Sequence, residues 1–498
     1  MSVVTRALVA SFALVAVTGC GSNEAGPPVD GTYTLTISGD EVSDTILTRV
    51  GPLLTATVRQ GSRPASGVWV RFRPLCDGGG YGCLNIAPLN SDYYYTDELA
   101  GKTDSQGRFQ VKVEFSYLAG PSLILAQLGD TTASDTAAYN VLPGNPNSVQ
   151  VWGDPDTAVV LDASYTPRVS AYDAGGNALD LPVTITSLSP AVAAVSGSVV
   201  TGRSYGRAVL RLTATSGSWM GEDTASVTVV PPGLFLATRN NTSAVVNADG
   251  SDFTYMLNVA GYGAFAPGGQ TIAYTSYWTE GMLLLNQHGD TLRQLLPPPG
   301  PVSALYPAFS RDGNWVYFCG APTFDPGQAI FRVHPDATGR EQLTGVAPEL
   351  PGSDCAPSPS PDGNRIVYQK SRGGTAPRLV IKNLTTGVVT ELGVPGSYPS
   401  WSPSGDRIAY WQVVDYPGIT RLYLINPSGG PAVEVPLPGM YVYAQHAPIW
   451  SPDGQWLAVG AASALGSTVL VRLSDSQLLA LPWTRDKSVL DWTAGTVN

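Results

Sequence analysis

Residues 399–410 read PSWSPSGDRIAY, and four variants of this phrase occur elsewhere in the second half of the chain. In each variant a short apolar strand leads into a turn like Ser-Pro-Asp-Gly, where glycine tolerates a positive φ and aspartate bonds its own backbone. An alternating strand follows the turn. The turn glycines lie 42 to 50 residues apart, a period typical of four-stranded propeller blades. The four variants are GAFAPGGQTIAY (263–274), PAFSRDGNWVYF (307–318), PSPSPDGNRIVY (357–368) and PIWSPDGQWLAV (448–459).

The two ends of this region contain the parts of one further blade. Residues 234–238, 244–247 and 254–259 have the patterns of second, third and fourth strands without a first. The missing first strand occurs at 488–493, where Trp492 follows Trp450 by 42 residues. We therefore predict a six-bladed β-propeller over residues 233–495, closed by pairing of the C-terminal strand with the segment at Leu234. Such closure removes the open sheet edges that favour aggregation.

The repeated phrase resembles the propeller repeat of the TolB family. The resemblance covers roughly residues 233–495 and rests on Trp or Phe followed by Ser, Pro, Asp and Gly before an apolar strand. It implies a propeller fold and a partner protein in the cell envelope. In place of that family's usual N-terminal α/β domain, this chain has two regions with the strand and turn pattern of small sandwiches.

The first of these regions covers residues 31–143 and the second covers residues 147–231. In the first, TDSQGR (103–108) introduces an alternating strand, an order that resembles the invasin-type bacterial Ig-like domain. In the second, the successive segments VAAV, VVTG and GRAVLRLTA resemble the strands of another group of bacterial Ig-like domains. An insertion at 74–101 contains three tyrosines, 93–95, and is either a binding loop or a pinned loop packed on its sandwich. The predicted fold is thus all-β, with two Ig-like sandwiches before the propeller.

The N-terminus has the pattern of a lipoprotein signal. Residues 1–20 contain Arg6, an apolar run too short to span a bilayer, and Val-Thr-Gly before Cys20. This ending resembles the lipobox, which implies an acylated Cys20, a tether over 21–30 and anchoring in the cell envelope, most simply in an outer membrane. The alternative is an ordinary secretory signal in which the cysteine is incidental.

The remaining cysteines fit an oxidising compartment. Cys76 and Cys83 flank a glycine-rich loop and are expected to form a local disulfide. Cys319 and Cys355 fall at strand ends on the same face of neighbouring blades, where either a second disulfide or two buried thiols would fit. No histidines stand at zinc-ligand spacing near either pair, so we expect no metal site.

Charge and motifs exclude several functions. The net charge is −11 and no basic stripe exists, which argues against nucleic acid as a partner. Gly202–Gly206 spells G-x-S-x-G, but it lies between predicted strands rather than before a helix, so no serine nucleophile is expected. No phosphate or dinucleotide motif occurs, and we expect neither a cofactor nor a catalytic centre.

The most promising site is the mouth of the central channel, where the first strands of the blades converge. The residues that precede the repeated phrase include three tyrosines, and they are flanked by one acid and one imidazole. Such a group can stack on and bond a sugar or peptide, or can simply wedge the blades as core. The predicted site residues are Tyr262, Tyr306, Tyr398, Asp354 and His446.

Two functions are compatible with these features. The first is a non-catalytic envelope lipoprotein whose propeller binds a protein or peptide partner, with the sandwiches as spacers. The second is a carbohydrate-binding or carbohydrate-active propeller that uses the tyrosines to hold a glycan. Exposure of the three tyrosine rings distinguishes them.

Overall fold

The computed structural model describes most of the chain from residue 32 onward. The described ranges are 32–39, 42–75, 84–91, 98–129, 132–239, 242–257, 261–276, 281–296, 304–321, 327–345, 352–415, 419–438, 446–463, 466–484 and 487–495. Within them the elements are β-strands and one 3-10 turn, Pro482–Thr484. No helix among these residues has the length and apolar character needed to cross a bilayer. Cys20, Cys76, Cys83 and tyrosines 93–95 lie outside the described residues.

The first sandwich contains two five-stranded sheets, with orders β1-β3-β8-β6, to which β4 is added, and β2-β10-β9-β5-β7. Alternating burial along β10 shows why these residues form strands, since every second side chain points into the core. Phe72, Phe115 and Ile124 are fully buried there. The strands are β1 (Tyr33–Ser38), β2 (Val42–Thr45), β3 (Leu54–Gln60), β4 (Arg63–Pro64), β5 (Trp69–Leu75), β6 (Leu84–Pro88), β7 (Leu99–Lys102), β8 (Arg108–Phe115), β9 (Gly120–Leu128) and β10 (Ser134–Leu142).

The second sandwich has three sheets, with orders β11-β14-β15, β12-β20-β19-β16 and β13-β18-β17. Its longest hairpin joins β19 to β20, and the inward residues Leu210 and Leu212 are fully buried. Ser204, the serine of the G-x-S-x-G sequence, donates its hydroxyl to the Ala191 carbonyl and has a structural role. The strands are β11 (Pro146–Val151), β12 (Asp156–Val160), β13 (Ser164–Tyr165), β14 (Val169–Asp173), β15 (Ala178–Leu179), β16 (Val183–Ser187), β17 (Ala193–Ser196), β18 (Val199–Gly202), β19 (Gly206–Ser216) and β20 (Trp219–Val230).

Six four-stranded antiparallel sheets follow, as the repeat predicts. Blade 1 combines β21–β23 with β44, and blades 2 to 6 are β24–β27, β28–β31, β32–β35, β36–β39 and β40–β43. The strands are β21 (Leu234–Arg239), β22 (Thr242–Asn247), β23 (Thr254–Leu257), β24 (Gly261–Phe265), β25 (Thr271–Ser276), β26 (Met282–Asn286), β27 (Thr291–Leu296), β28 (Leu305–Phe309), β29 (Val316–Gly320), β30 (Ala329–Val333), β31 (Glu341–Gln342), β32 (Gly352–Pro359), β33 (Arg365–Arg372), β34 (Arg378–Asn383), β35 (Val389–Pro395), β36 (Ser397–Trp401), β37 (Ile408–Asp415), β38 (Ile419–Ile425), β39 (Val433–Val435), β40 (Ile449–Trp450), β41 (Trp456–Ser463), β42 (Gly466–Arg472), β43 (Leu478–Ala480) and β44 (Ser488–Thr493).

The predicted closure of the propeller is confirmed. β44 pairs antiparallel with β21, so that Phe235 lies opposite Trp492, and the two rings stack at 4.7 Å between centroids. The C-terminal strand thereby supplies the innermost strand of blade 1. The first and last strands of the propeller are held together by both backbone bonds and an aromatic contact.

The turns after the first strands are built by serine and aspartate side chains. In blade 3 the Ser310 hydroxyl donates to Asp312 (2.5 Å), and the Asn314 amide donates to the same carboxylate oxygen (3.0 Å). The Ser310 hydroxyl oxygen also accepts the Trp315 amide (2.9 Å). The hydrogen bonds from the serine hydroxyl to the aspartate, and from the backbone amide to the serine, occur again at Ser360 and Ser451. This recurrence supports the interpretation of the repeated aspartates as turn formers.

The second sandwich and the propeller form one compact unit, separate from the unit of residues 1–145 and 174–177. A shared cluster buries Ala158 and Val230 of the sandwich against propeller side chains that include Trp456. Tyr205 of the sandwich meets Trp456 edge to face at 5.1 Å, and its carbonyl accepts the Gln477 side chain (3.3 Å). These contacts hold the second sandwich in a defined orientation on blades 1 and 6.

Candidate functional site

The innermost strands of all six blades surround a central cavity of about 500 Å³. Because each first strand runs the same way, one end of this cavity is lined by the residues that begin the repeated phrase. We call this the tyrosine end. The other end is lined by the turns that close the phrase, and we call it the turn end. The volume lies within the range of ligand-binding sites in proteins.

The tyrosine end contains a cluster of three phenols. The Tyr262 hydroxyl donates to the Tyr306 hydroxyl (3.1 Å), and the hydroxyls of Tyr306 and Tyr398 lie 3.4 Å apart. Tyr306 of blade 3 thus reaches past blade 4 to Tyr398 of blade 5. The equivalent position in blade 4 is Ala356, whose small side chain leaves room for this contact. The rings therefore point toward the propeller axis and contact one another.

The backbone at these positions is unusual. Tyr306, Ala356 and Tyr398 have φ values of 53°, 51° and 51°, in the left-handed region that non-glycine residues rarely adopt. At each of them the pairing of first and second strands shifts register, as in a β-bulge. The bulge turns the side chain from the plane of its blade toward the axis. A proline follows each of these residues, and it is the feature of the local sequence that marks the β-bulge.

His446 completes the tyrosine end. Its ring lies 5.8 Å from that of Tyr262, in an edge arrangement. Burial lowers the pKa of His446 to about 4, so the imidazole is neutral at pH 7. Burial also raises the pKa values of Tyr262 and Tyr306. At neutral pH this end of the cavity therefore presents uncharged rings and hydroxyls.

Asp354 does not line the cavity. The structure places it in β32, almost fully buried at 3% exposure, with its carboxylate 2.9 Å from the Arg372 guanidinium. Burial raises the pKa of Asp354, and the neighbouring Arg372 opposes that effect. Its proximity to Ala356 in sequence suggested a place beside the tyrosines, but alternation along the strand directs it elsewhere. Of the five predicted site residues, four are brought together.

Asp491 is a cavity residue that sequence reasoning missed. It occupies the middle of β44, at the position held in the other blades by Ala264, Ala308, Ser358, Ser400 and Ile449. Its carboxylate accepts the backbone amides of Phe265 in blade 2 (2.7 Å) and Trp492 (2.8 Å). Ser358 similarly accepts the Trp401 amide of the next blade (2.9 Å), so this position joins neighbouring blades. Burial nevertheless raises the pKa of Asp491 to about 6.

Arg311 is a second missed residue, and it lies at the turn end. The repeated turns have proline at this position in Pro267, Pro361, Pro403 and Pro452, and alanine in Ala494. In blade 3 the residue is Arg311, whose guanidinium donates to the Pro403 carbonyl of blade 5 (2.7 Å). The side chain therefore extends across the rim of the cavity. The sequence signal for this residue was a charged side chain at a position that is proline in four of the other repeats.

A disulfide lies close to the tyrosine end. Cys319 of β29 and Cys355 of β32 are joined, with their Cα atoms 5.0 Å apart, and both residues are buried. Cys355 directly precedes Ala356, and Cys319 pairs across the sheet with Leu305, which directly precedes Tyr306. The bond thus links blades 3 and 4 beside two of the left-handed residues.

The chemistry of the cavity is set by a small number of titratable groups in the part of the chain that the structure describes. No group of three His, Cys, Asp or Glu side chains there has the arrangement of a metal site. Along the cavity the titratable groups are Tyr262, Tyr306, Arg311, His446 and Asp491. The arrangement is suited to binding an extended or aromatic ligand by stacking, hydrogen bonds and two opposite charges.

Similarity to known proteins is confined to solved structures. No family model matches it, and no curated protein sequence matches it. Among solved structures, it is similar to TolB from Acinetobacter baumannii (TM-score 0.40, 15% identity, 59% of this chain and 80% of that chain). It is also similar to a structure described as a putative TolB from Agrobacterium tumefaciens (TM-score 0.39, 15% identity, 50% of this chain and 88% of that chain). A chain of a nidogen/laminin complex has a TM-score of 0.40, with 13% identity over 52% and 97% of the two chains. At these identities the similarity concerns the propeller fold alone.

Proposed function

We propose that this chain is a non-catalytic lipoprotein of the cell envelope whose propeller binds a protein partner through a peptide segment inserted into the central cavity. The observation that carries the proposal is the cavity itself, about 500 Å³ and lined by all six blades. A central channel is common to propellers, so it is the lining of this one that points to a ligand. The lining combines aromatic rings with a few polar groups, which is the usual composition of a binding site.

Anchoring rests on the N-terminal sequence. The lipobox-like residues before Cys20 motivate an acylated N-terminus, and the following residues would form a tether to the membrane. The two sandwiches, which resemble bacterial Ig-like domains, would then act as spacers. The second sandwich packs on blades 1 and 6 of the propeller. In a cell with two membranes the same sequence favours the outer one, and this location belongs to the proposal.

A glycan ligand is the second function compatible with the sequence, and the geometry supports it less. The hydroxyls of Tyr262, Tyr306 and Tyr398 bond one another, which reduces the capacity of the cluster to bond sugar hydroxyls. The neutral His446 supplies no charge for an acidic polysaccharide. We therefore favour a peptide.

Site-specific photocrosslinking in the native envelope tests the proposal. A photoreactive amino acid at Ala308, which lines the cavity, is expected to crosslink a discrete partner. The matched control position is Val433, which is 64% exposed on the outermost strand of blade 5 and should give no such product. Equal products from both positions would mean contact outside the cavity. Absence of any product from Ala308 in cells that produce the full-length protein would argue against a segment in the cavity.

A further inference from the structure

The two ends of the cavity differ in charge, and the difference carries an inference about its ligand. At the turn end the side chain that replaces the usual proline is Arg311, an always-charged guanidinium with five N–H donors. Among the residues that the structure describes, one of these donors has a protein acceptor, the Pro403 carbonyl. The residue is exposed, and no acidic side chain of the described ranges pairs with it. The remaining donors lie at an exposed residue of the rim, where an acceptor from outside can reach them.

Further inside, the described lining contains groups that favour a cation. Among the lining residues that the structure describes, Asp491 is the one carboxylate, and beyond it lie the faces of Tyr262 and Tyr306 and the neutral ring of His446. Aromatic faces attract ammonium groups, and a carboxylate accepts their hydrogen bonds. The interior is thus an acceptor site, whereas the rim is a donor site.

The separation of these two sites sets the length of the ligand. Asp491 lies three residues before Ala494, the residue of blade 1 equivalent to Arg311. At about 3.3 Å per residue along a strand, the backbone positions of the two charged residues differ by roughly 10 Å along the strand direction. An extended peptide covers this distance in about three residues, whereas a single amino acid spans at most about 3.6 Å.

We propose that the cavity receives the free N-terminus of a partner polypeptide, with its α-ammonium between Asp491 and the tyrosines and an acidic side chain at its third or fourth residue against Arg311. This inference rests on the proposed function and adds the polarity and sequence of the inserted segment. A C-terminal tail would have the opposite polarity, because its terminal carboxylate would lie deepest, beside Asp491. Two carboxylates in that position repel each other, so the charges select an N-terminus.

Peptide binding to the purified full-length protein tests this assignment. The probes are heptapeptides immobilised through their C-termini, randomised at positions one to five, each with a free or an acetylated N-terminus. A second set is immobilised through the N-terminus and has a free C-terminus. We expect enrichment of Asp or Glu at position three or four, and loss of at least about tenfold in binding on acetylation, the size expected for one charge-assisted contact.

Substitution of Arg311 identifies the acidic contact. Arg311→Pro restores the residue found in the other turns and should remove the preference for an acid over its amide, changing a ratio of about tenfold to about one. Arg311→Gln removes the charge without proline and serves if the first variant is misfolded by circular dichroism. Arg293→Ala is the matched control, since Arg293 is an exposed propeller arginine outside the cavity, and it should leave the ratio unchanged.

The possible outcomes separate this inference from the proposed function. Binding of free-amine peptides with the acidic preference, lost in both Arg311 variants, supports the inference. Binding without any dependence on the N-terminus or the acid, or stronger binding of the set with free C-termini, overturns the inference and leaves peptide binding intact. Binding of no peptide overturns the inference, and the proposed function then fails if crosslinking from Ala308 also yields no product.

Discussion

Replacement of Asp491 by asparagine should change how the stability of the propeller depends on pH. The Asp491 carboxylate accepts two backbone amides, and its burial raises its pKa from 3.8 to about 6. Because the folded-state pKa is the higher one, the folded protein binds more protons between pH 3.8 and 6 than the unfolded chain. The contribution of this group to stability is therefore fully present below pH 3.8, decreases as pH rises, and is constant again above about 6.

The magnitude follows from the same two pKa values. A shift of about two units corresponds to roughly 3 kcal/mol, of which about 2 kcal/mol falls between pH 4 and pH 7.5. Asparagine is neutral throughout this range. The free energy of unfolding of Asp491→Asn, measured relative to wild type, should therefore increase by about 2 kcal/mol from pH 4 to pH 7.5. This comparison cancels any constant loss of hydrogen bonding in the variant.

Urea denaturation followed by tryptophan fluorescence at pH 4, 5, 6 and 7.5 provides the measurement. Asp475→Asn is the matched control, because the Arg472 guanidinium lowers the pKa of that exposed carboxyl. The stabilising contribution of Asp475 is lost as pH falls. The free energy of unfolding of Asp475→Asn relative to wild type should therefore not increase from pH 4 to pH 7.5, in contrast to that of Asp491→Asn. A constant difference between Asp491→Asn and wild type over the whole range would refute the account of a buried, raised-pKa carboxylate.

Three further changes have definite expected outcomes. Cys319→Ser with Cys355→Ser should lower the free energy of unfolding by about 2 to 4 kcal/mol, because the bond closes a loop of sequence separation 36, and an unchanged denaturation midpoint would argue against the bond. Ala356→Val should destabilise the propeller by about 1 to 3 kcal/mol in the same assay, since a β-branched residue resists a φ of 51°. Ala308 lines the same cavity without a positive φ, so Ala308→Val should lower the free energy of unfolding by less. Cys20→Ala should abolish incorporation of labelled fatty acid and release the protein from the membrane fraction; continued labelling would show acylation at another residue.

Much of the fold was predictable because the determinants are local. The Ser-Pro-Asp-Gly phrase builds its turn from side chains within five residues, as Ser310, Asp312 and Trp315 show, so that each repeat encodes its own hairpin. Closure by β44 was also predictable. The first-strand pattern occurs at the C-terminus without the other strands of a blade, and the blade that begins at Leu234 has no first strand of its own. Binary patterning and turn chemistry together determine four strands per repeat.

The candidate site was predictable only in part. Equivalent positions in the repeat identified three tyrosines, and proximity in sequence added His446; the structure brings their rings together at the axis. Asp354 was selected by proximity in sequence, but it points into an ion pair with Arg372. Arg311 and Asp491 were detectable as departures from the repeat, yet nothing in a single repeat indicates that a departure faces the cavity.

The sequence by itself determined the blades, their number and their order, because strand periodicity and turn chemistry operate over a few residues. Only the tertiary structure decided the character of the cavity. The pKa of Asp491 depends on its burial and on the amide of Phe265, 226 residues away along the chain, and the tyrosine cluster joins blades 2, 3 and 5. Charge burial and hydrogen bonding depend on distances through space, which closure of the propeller establishes and which no local pattern contains.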